Sequence, residues 1–154
     1  MNAVTHRLMK LMGESGLWKV VGAVHTRLYR LTGGTFGQRT AGMDNLLLTT
    51  TGRKSGTART VPLTYMPDGN DYVLVASNGG ADRHPAWWLN LAAHPAAEIQ
   101  VGRDTLAVLA HEADREERAR LWPMVKRYNP FYAMYEEITA REIPVVVLRV
   151  RDHA

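Results

Sequence analysis

Three basic side chains, Arg53, Lys54 and Arg59, fall within the stretch GRKSGTAR, between two runs rich in β-forming residues. That arrangement suits an anionic ligand. Gly52 and Gly56 allow the chain to turn sharply and bring backbone N–H groups close to a ligand, and Ser55 adds a hydroxyl donor. The competing reading is a solvated hairpin turn with exposed cations, and the spacing alone leaves both open. A Walker A loop is excluded, because there Gly-Lys-Ser/Thr follows four spacer residues and opens a helix, whereas here the basic pair directly follows the first glycine.

The residue inventory narrows the chemistry further. The chain has 154 residues and no cysteine, so sulfur-bound zinc, disulfides and thiolate nucleophiles are excluded, and a reducing cytoplasm is the expected setting. His6, His25, His84, His94, His111 and His153 show no metal-ligand spacing, and no metal is expected. The net charge of +4 sits in residues 1–31, where Arg7, Lys10, Lys19, Arg27 and Arg30 face only Glu14. From residue 32 onward bases and acids balance, so no global basic field points to nucleic acid.

The elements that must position these side chains can be read from periodicity. Residues 1–42 form an N-terminal helical segment and connector, and 43–154 a barrel, within a chain of single-domain length. Leu17, Val20, Val21, Val24, Leu28 and Leu31 recur at helical spacing, with Lys19, Arg27 and Arg30 among them. The segment is too interrupted by charge to be a secretory signal or a membrane span. It either packs its apolar stripe on its own domain or lies on an anionic membrane surface, with Trp18 and Tyr29 at the interface. Strands are expected at 45–51, 59–66, 71–77, 96–101, 105–112 and 143–150, the last buried on both faces. Turns fall at Pro67–Asn70 and Gly102–Asp104. Short helices are expected at about 85–93 and 130–140. Asp114, with Glu117 three residues on, caps a longer one reaching Tyr128, in which Pro123 is a candidate kink. Six strands with few, short helices predict an antiparallel barrel with helices at its rim.

The segments LLLTTTGRKSGTARTVPLTYM, YVLVASNGGADRHPAWWLNLAAHP, EERARLWPMVKRYNPFYAMY and IPVVVLRV together resemble the deazaflavin-dependent nitroreductase family, over about residues 44–150. The resemblance implies a mainly β fold with helices, a split β-barrel of the FMN-binding type, and coenzyme F-420 as cofactor. It places Arg53, Lys54, Ser55 and Arg59 around the phosphate and acidic tail of that cofactor, and Pro62 and Leu63 near the deazaflavin ring. Ser77, Asn78, Gly79 and Gly80 would approach it with backbone amides, and Trp87 and Asn90 would help enclose it. The family's pattern carries Lys where this chain has Asn78, which removes one cationic contact. On the acceptor side the resemblance implies tyrosines over the ring, here Tyr65, Tyr128, Tyr132 and Tyr135. Asn129 lengthens the tyrosine spacing of nitro-reducing members, so quinone reduction is expected ahead of nitro reduction.

The resulting expectation is a reductase that passes a hydride from reduced deazaflavin to an electron-poor small molecule. The alternatives are an FMN enzyme of the same barrel and a non-catalytic barrel holding a cofactor or lipid. Partners beyond the acceptor are an anionic membrane met through residues 1–31 and a second protomer, with the apolar helix face or a barrel edge as the surface.

Overall fold

A computed structural model describes residues 16–151. Residues 1–15, the side chains of Leu17, Trp18 and Lys19, and His153 lie outside this description, and with them part of the amphipathic helix expected from the sequence. The elements are α1 (Gly16–Thr32), β1 (Arg39–Thr40), β2 (Met43–Thr51), β3 (Ala58–Thr64), β4 (Met66–Asp68), β5 (Asp71–Val75), α2 (Ala86–Ala93), β6 (Ala96–Val101), β7 (Asp104–Glu112), α3 (Arg115–Tyr128), α4 (Phe131–Ile138) and β8 (Val145–Val150).

Every strand pairing is antiparallel, and the sheet runs β2–β6–β7–β8–β5–β4, with β3 on the other edge of β2. Because β3 and β4 are separated only by Tyr65, one stretch of chain pairs with β2 through its first half and with β5 through its second. That bent stretch closes the sheet into a barrel. The expected single strand 59–66 is therefore two, and the turn expected at 67–70 shrinks to Gly69-Asn70, since Asp68 and Asp71 already pair. Counted with β3–β4 as one bent strand, six long strands form the wall.

Period-two alternation fills both sides of that wall. Leu46, Leu48, Leu74, Ile99, Val108 and Leu148 point inward, where Trp87, Trp88 and Leu91 of α2 plug one end. Val73, Val75, Val145 and Val147 point outward, beneath Leu121, Trp122 and Val125 of α3 and Tyr132 of α4. The terminal strand is thus buried on both faces, as its unbroken apolar run predicts. Each such side chain contributes about 1.5–3 kcal/mol by leaving water.

The Asp114 cap forms, its carboxylate accepting from the Glu117 amide at 2.9 Å. The reciprocal half of the capping box does not, because the Glu117 carboxylate bonds His111 Nε2 at 2.8 Å. α3 continues through Pro123 to Tyr128.

α1 packs on β3 in a way the sequence did not suggest. Its contact face consists of Gly22, close to the Pro62 ring, with His25, whose Nε2 lies 3.0 Å from the Gly37 carbonyl, and Tyr29. The Tyr29 hydroxyl donates to the Asn45 carbonyl at 3.1 Å and accepts from the Gly102 amide at 2.8 Å, tying the helix to two parts of the barrel. The apolar stripe faces solvent instead: Val20 is 61% exposed, Val24 54% and Leu31 74%. Self-burial of that stripe is therefore ruled out among the described residues.

Candidate functional site

The β2–β3 turn and α2 build one cleft of about 540 Å³. The Gly52 amide donates to the Thr57 carbonyl at 2.8 Å and the Gly56 amide to the Gly52 carbonyl at 2.7 Å, closing the turn that carries Arg53 and Lys54. A Cβ at Gly52 would lie 2.5 Å from Ser55 Oγ and 3.1 Å from the Thr57 carbonyl oxygen, so a side chain there would displace Ser55. Arg53, Lys54, Ser55 and Arg59 all line this cleft, as does Trp87, and the sequence placed all five in the site. Arg53, Lys54 and Arg59 are exposed, and among the described residues no carboxylate pairs with them. No acidic side chain lines the cleft. Such a donor set suits a phosphodiester with neighbouring carboxylates, since Arg offers a planar fork and Lys a compact charge.

Asn90 also lines the cleft, yet both ends of its amide are engaged. Its Oδ1 accepts from the Arg53 amide at 3.1 Å and from Arg53 Nη1 at 3.3 Å, and its Nδ2 donates to Thr50 Oγ1 at 3.1 Å. These bonds hold the basic turn against α2, and Asn90 stays in the cleft lining that the resemblance implied. Pro62 turns toward Gly22 of α1, and Leu63 packs against the barrel interior.

The glycine turn occupies a different neighbourhood. Ser77, Asn78, Gly79 and Gly80 do not line the basic cleft; they lie against α4. Gly80 has φ +79°, and a Cβ there would collide with the Ile138 side chain and approach Tyr135 Cδ1 to 3.4 Å. The turn is a short 3-10 segment, in which the Gly80 amide donates to the Ser77 carbonyl and the Ala81 amide to the Asn78 carbonyl. Those two amides are thus committed within the turn, which narrows the expected set of donors toward a ligand. Asn78 itself has φ +49°, a left-handed conformation that Asn tolerates better than Lys, and its Nδ2 donates to the Arg83 carbonyl at 3.0 Å.

Arg141, absent from the residues singled out by sequence, organises this turn. Its Nε donates to the Ala81 carbonyl at 2.9 Å, and its Nη2 to the carbonyls of Ala76 and Ser77 at 3.0 and 2.9 Å. Nη1 lies 3.2 Å from His84 Nδ1. Burial pulls its pKa below the ordinary arginine value, with the Asp82 charge acting the other way.

The four tyrosines do not share one pocket. Tyr128 ends α3 with its hydroxyl 3.4 Å from Asp44 Oδ2, because extended Asn129 and then Pro130 break the helix before α4 begins. Tyr65 lies in the barrel interior, edge-to-face with Tyr72 at 5.2 Å, and burial pushes its hydroxyl pKa up to about 12. Tyr132 and Tyr135 remain together on α4, ring centroids 6.4 Å apart. Tyr132 is buried, its hydroxyl pKa pushed up to about 12 by loss of solvent, with the Asn129 side chain opposing. Tyr135 is half-buried beside Gly80 and stacks on Phe131, which is 52% exposed and was also missed by sequence. Burial raises the Tyr135 pKa as well.

A family profile described as F420H(2)-dependent quinone reductase matches residues 22–150. The chain is 44% identical over 135 residues to an F420H(2)-dependent quinone reductase of Mycobacterium tuberculosis, covering 83% of this chain and 89% of that protein. Among solved structures, one described as an F420-H2 dependent reductase superposes with a TM-score of 0.63 at 40% identity, over 68% of this chain and 93% of the other. Another, described as a domain-swapped dimer, gives 0.67 at 35% identity, over 80% and 92%.

Proposed function

This chain belongs to the F420H(2)-dependent quinone reductase family, and on that premise we propose that it binds coenzyme F-420 at the Arg53–Arg59 cleft and reduces a quinone. The observation that carries the reading is the acid-free cleft, lined by Arg53, Lys54 and Arg59 together with Trp87. When bound, the reduced deazaflavin supplies the hydride. The protein's own task is to fix and shield: Arg53, Lys54 and Arg59 neutralise the anionic end, Trp87 walls the cleft, and Tyr135 faces the acceptor. A neutral phenol there can donate a hydrogen bond to the oxygen on which negative charge develops. No side-chain nucleophile or metal is called for.

Titration of the full chain with oxidised coenzyme F-420 and, separately, with FMN, read as quenching of tryptophan fluorescence, tests the cofactor assignment. F-420 is expected to bind at least tenfold more tightly, and the protein to accelerate oxidation of reduced F-420 by a soluble naphthoquinone. Tighter FMN binding would move the chain to a flavin chemistry. Binding without acceleration by any acceptor would make it a carrier.

The proposal extends to where the reaction takes place. Val20, Val24, Leu28 and Leu31 form one exposed face of α1, with Arg27 and Arg30 beside it, the composition of a helix that lies in an anionic membrane interface. No helix among the described residues is long and apolar enough to cross a membrane, and the contact proposed is a peripheral one, next to lipid-dissolved quinone. Full-length protein is expected to sediment with anionic liposomes, and Val20→Asp/Val24→Asp to stay in the supernatant with unchanged F-420 affinity. A second protomer on the same stripe would instead appear as a dimer by light scattering, abolished by those substitutions, with no liposome binding in either protein.

A further inference from the structure

Arg141 lies between α4 and β8, just beyond the last turn of α4. Its backbone is joined to that helix: the Thr139 amide donates to the Tyr135 carbonyl at 3.2 Å, and the Arg141 amide to Thr139 Oγ1 at 3.5 Å. Its side chain runs into the glycine turn. Nη1 also donates to the Glu142 carbonyl at 3.4 Å, so with the contacts to Ala76, Ser77, Ala81 and His84 the guanidinium has an acceptor for each of its five N–H groups.

That saturation separates Arg141 from the cations of the β2–β3 turn. Arg53, Lys54 and Arg59 are exposed and line an open cleft, whereas every N–H of Arg141 is committed within the protein. What it supplies is geometry. A planar fork holds three carbonyls in directions that a single ammonium nitrogen cannot cover, so Lys is no substitute. The carbonyls belong to Ala76, Ser77 and Ala81, all buried, and have little solvent to turn to if the fork is lost. The turn they carry presses on α4 at Gly80, where a Cβ would collide with Ile138 and approach Tyr135 Cδ1 to 3.4 Å. Arg141 thus grips the turn with its side chain and, through Thr139, the end of the helix that carries Tyr135, and the contact between the two leaves little slack.

We infer that Arg141 is a positioning residue for the acceptor step: by fixing the glycine turn against α4 it sets where the Tyr135 hydroxyl stands relative to the acceptor, without itself touching either ligand. The inference rests on the reading of Tyr135 given above. Its consequence is a split in effects. Cofactor affinity, anchored at the Arg53–Arg59 cleft, does not depend on Arg141, whereas the hydride-transfer step does, since a misplacement on the order of 1 Å costs up to about a hundredfold.

The test is a double-mutant cycle on Arg141→Lys and Tyr135→Phe in the full chain. It is read by stopped-flow oxidation of bound reduced F-420 at saturating naphthoquinone, with F-420 Kd from fluorescence titration and folding checked by thermal melts. Arg141→Lys is expected to slow the oxidation step by about tenfold to a hundredfold, with Kd within about threefold of wild type. Adding Tyr135→Phe to it should cost less than about threefold more, because the hydroxyl is already misplaced. Losses that multiply, an unchanged rate in Arg141→Lys, or a loss of F-420 affinity as large as the loss of rate would each overturn the inference. If Arg141→Lys melts below the assay temperature, Gly80→Ala takes its place in the cycle: it keeps Arg141 but displaces the turn against Ile138 and Tyr135. The same non-additivity is expected there, and multiplying losses again overturn the inference. Normal turnover in Tyr135→Phe alone refutes the acceptor reading itself, and the positioning role with it, whereas a slow Tyr135→Phe beside a fast Arg141→Lys refutes the positioning role only.

Discussion

Replacing Lys54 by Ala is expected to weaken F-420 binding by about 1–3 kcal/mol, roughly 5-fold to 150-fold, with little change in melting temperature. The magnitude is that of one charge-assisted hydrogen bond to an anion. Lys54 is a cleaner probe than Arg53: the Arg53 amide and guanidinium are both tied to Asn90, so truncating that side chain also loosens the turn. Lys54 is exposed and makes no such contact among the described residues. Because one cation has been removed, the variant's affinity should also fall less steeply than wild type as salt rises. Equal Kd values for variant and wild type, measured at low salt by fluorescence titration, would place the anion elsewhere.

That prediction rests on a turn that could be read from the sequence, and the reason is local. GRKSGTAR announces itself through glycines, a hydroxyl and three charges within a few residues, and strand pairing on either side follows from β-branched alternation. The six-strand wall was legible for the same reason. Tyr65, where β3 passes into β4, was not: the residue pattern continues across it, and only the sheet's closure requires the chain to change partners there. Amphipathicity misled at α1. A hydrophobic stripe says which side of a helix is apolar but not what it meets, and here a glycine, a histidine and a tyrosine make the contact with the barrel while the stripe faces away from it. Arg141 lies beyond sequence reasoning for a further reason. Its partners are backbone carbonyls at positions 76, 77 and 81, which any residue type would present. The tyrosines fall between these cases: their number was readable, but their grouping depends on the break at Asn129-Pro130.

Tyr135→Phe is expected to lower quinone turnover roughly tenfold to a hundredfold while leaving F-420 affinity and melting temperature near wild type. A donor aimed at developing charge in an enclosed site is worth about a hundredfold to a thousandfold, and the half-buried Tyr135 falls at or below the low end of that range. The half-buried Tyr135 ring, beside Gly80 and the exposed Phe131, can reach an acceptor, whereas Tyr132 and Tyr65 belong to the two cores. The corresponding Phe variants at 132 and 65 should keep their turnover. Alkali separates the roles further. A phenol whose folded pKa is raised from about 10 to about 12 contributes stability fully present below pH 10 and lost as pH climbs toward 12, because the unfolded chain ionises first. Wild type should therefore lose stability steeply across that window, and Tyr132→Phe less so, in thermal melts at stepped pH. The raised Tyr135 pKa has the matching consequence for catalysis: its hydroxyl stays protonated through neutral pH, so turnover should not decline there through loss of the donor. Undiminished turnover in Tyr135→Phe, or an equal loss in all three variants, would remove Tyr135 from the acceptor site and leave it a packing residue above the glycine turn.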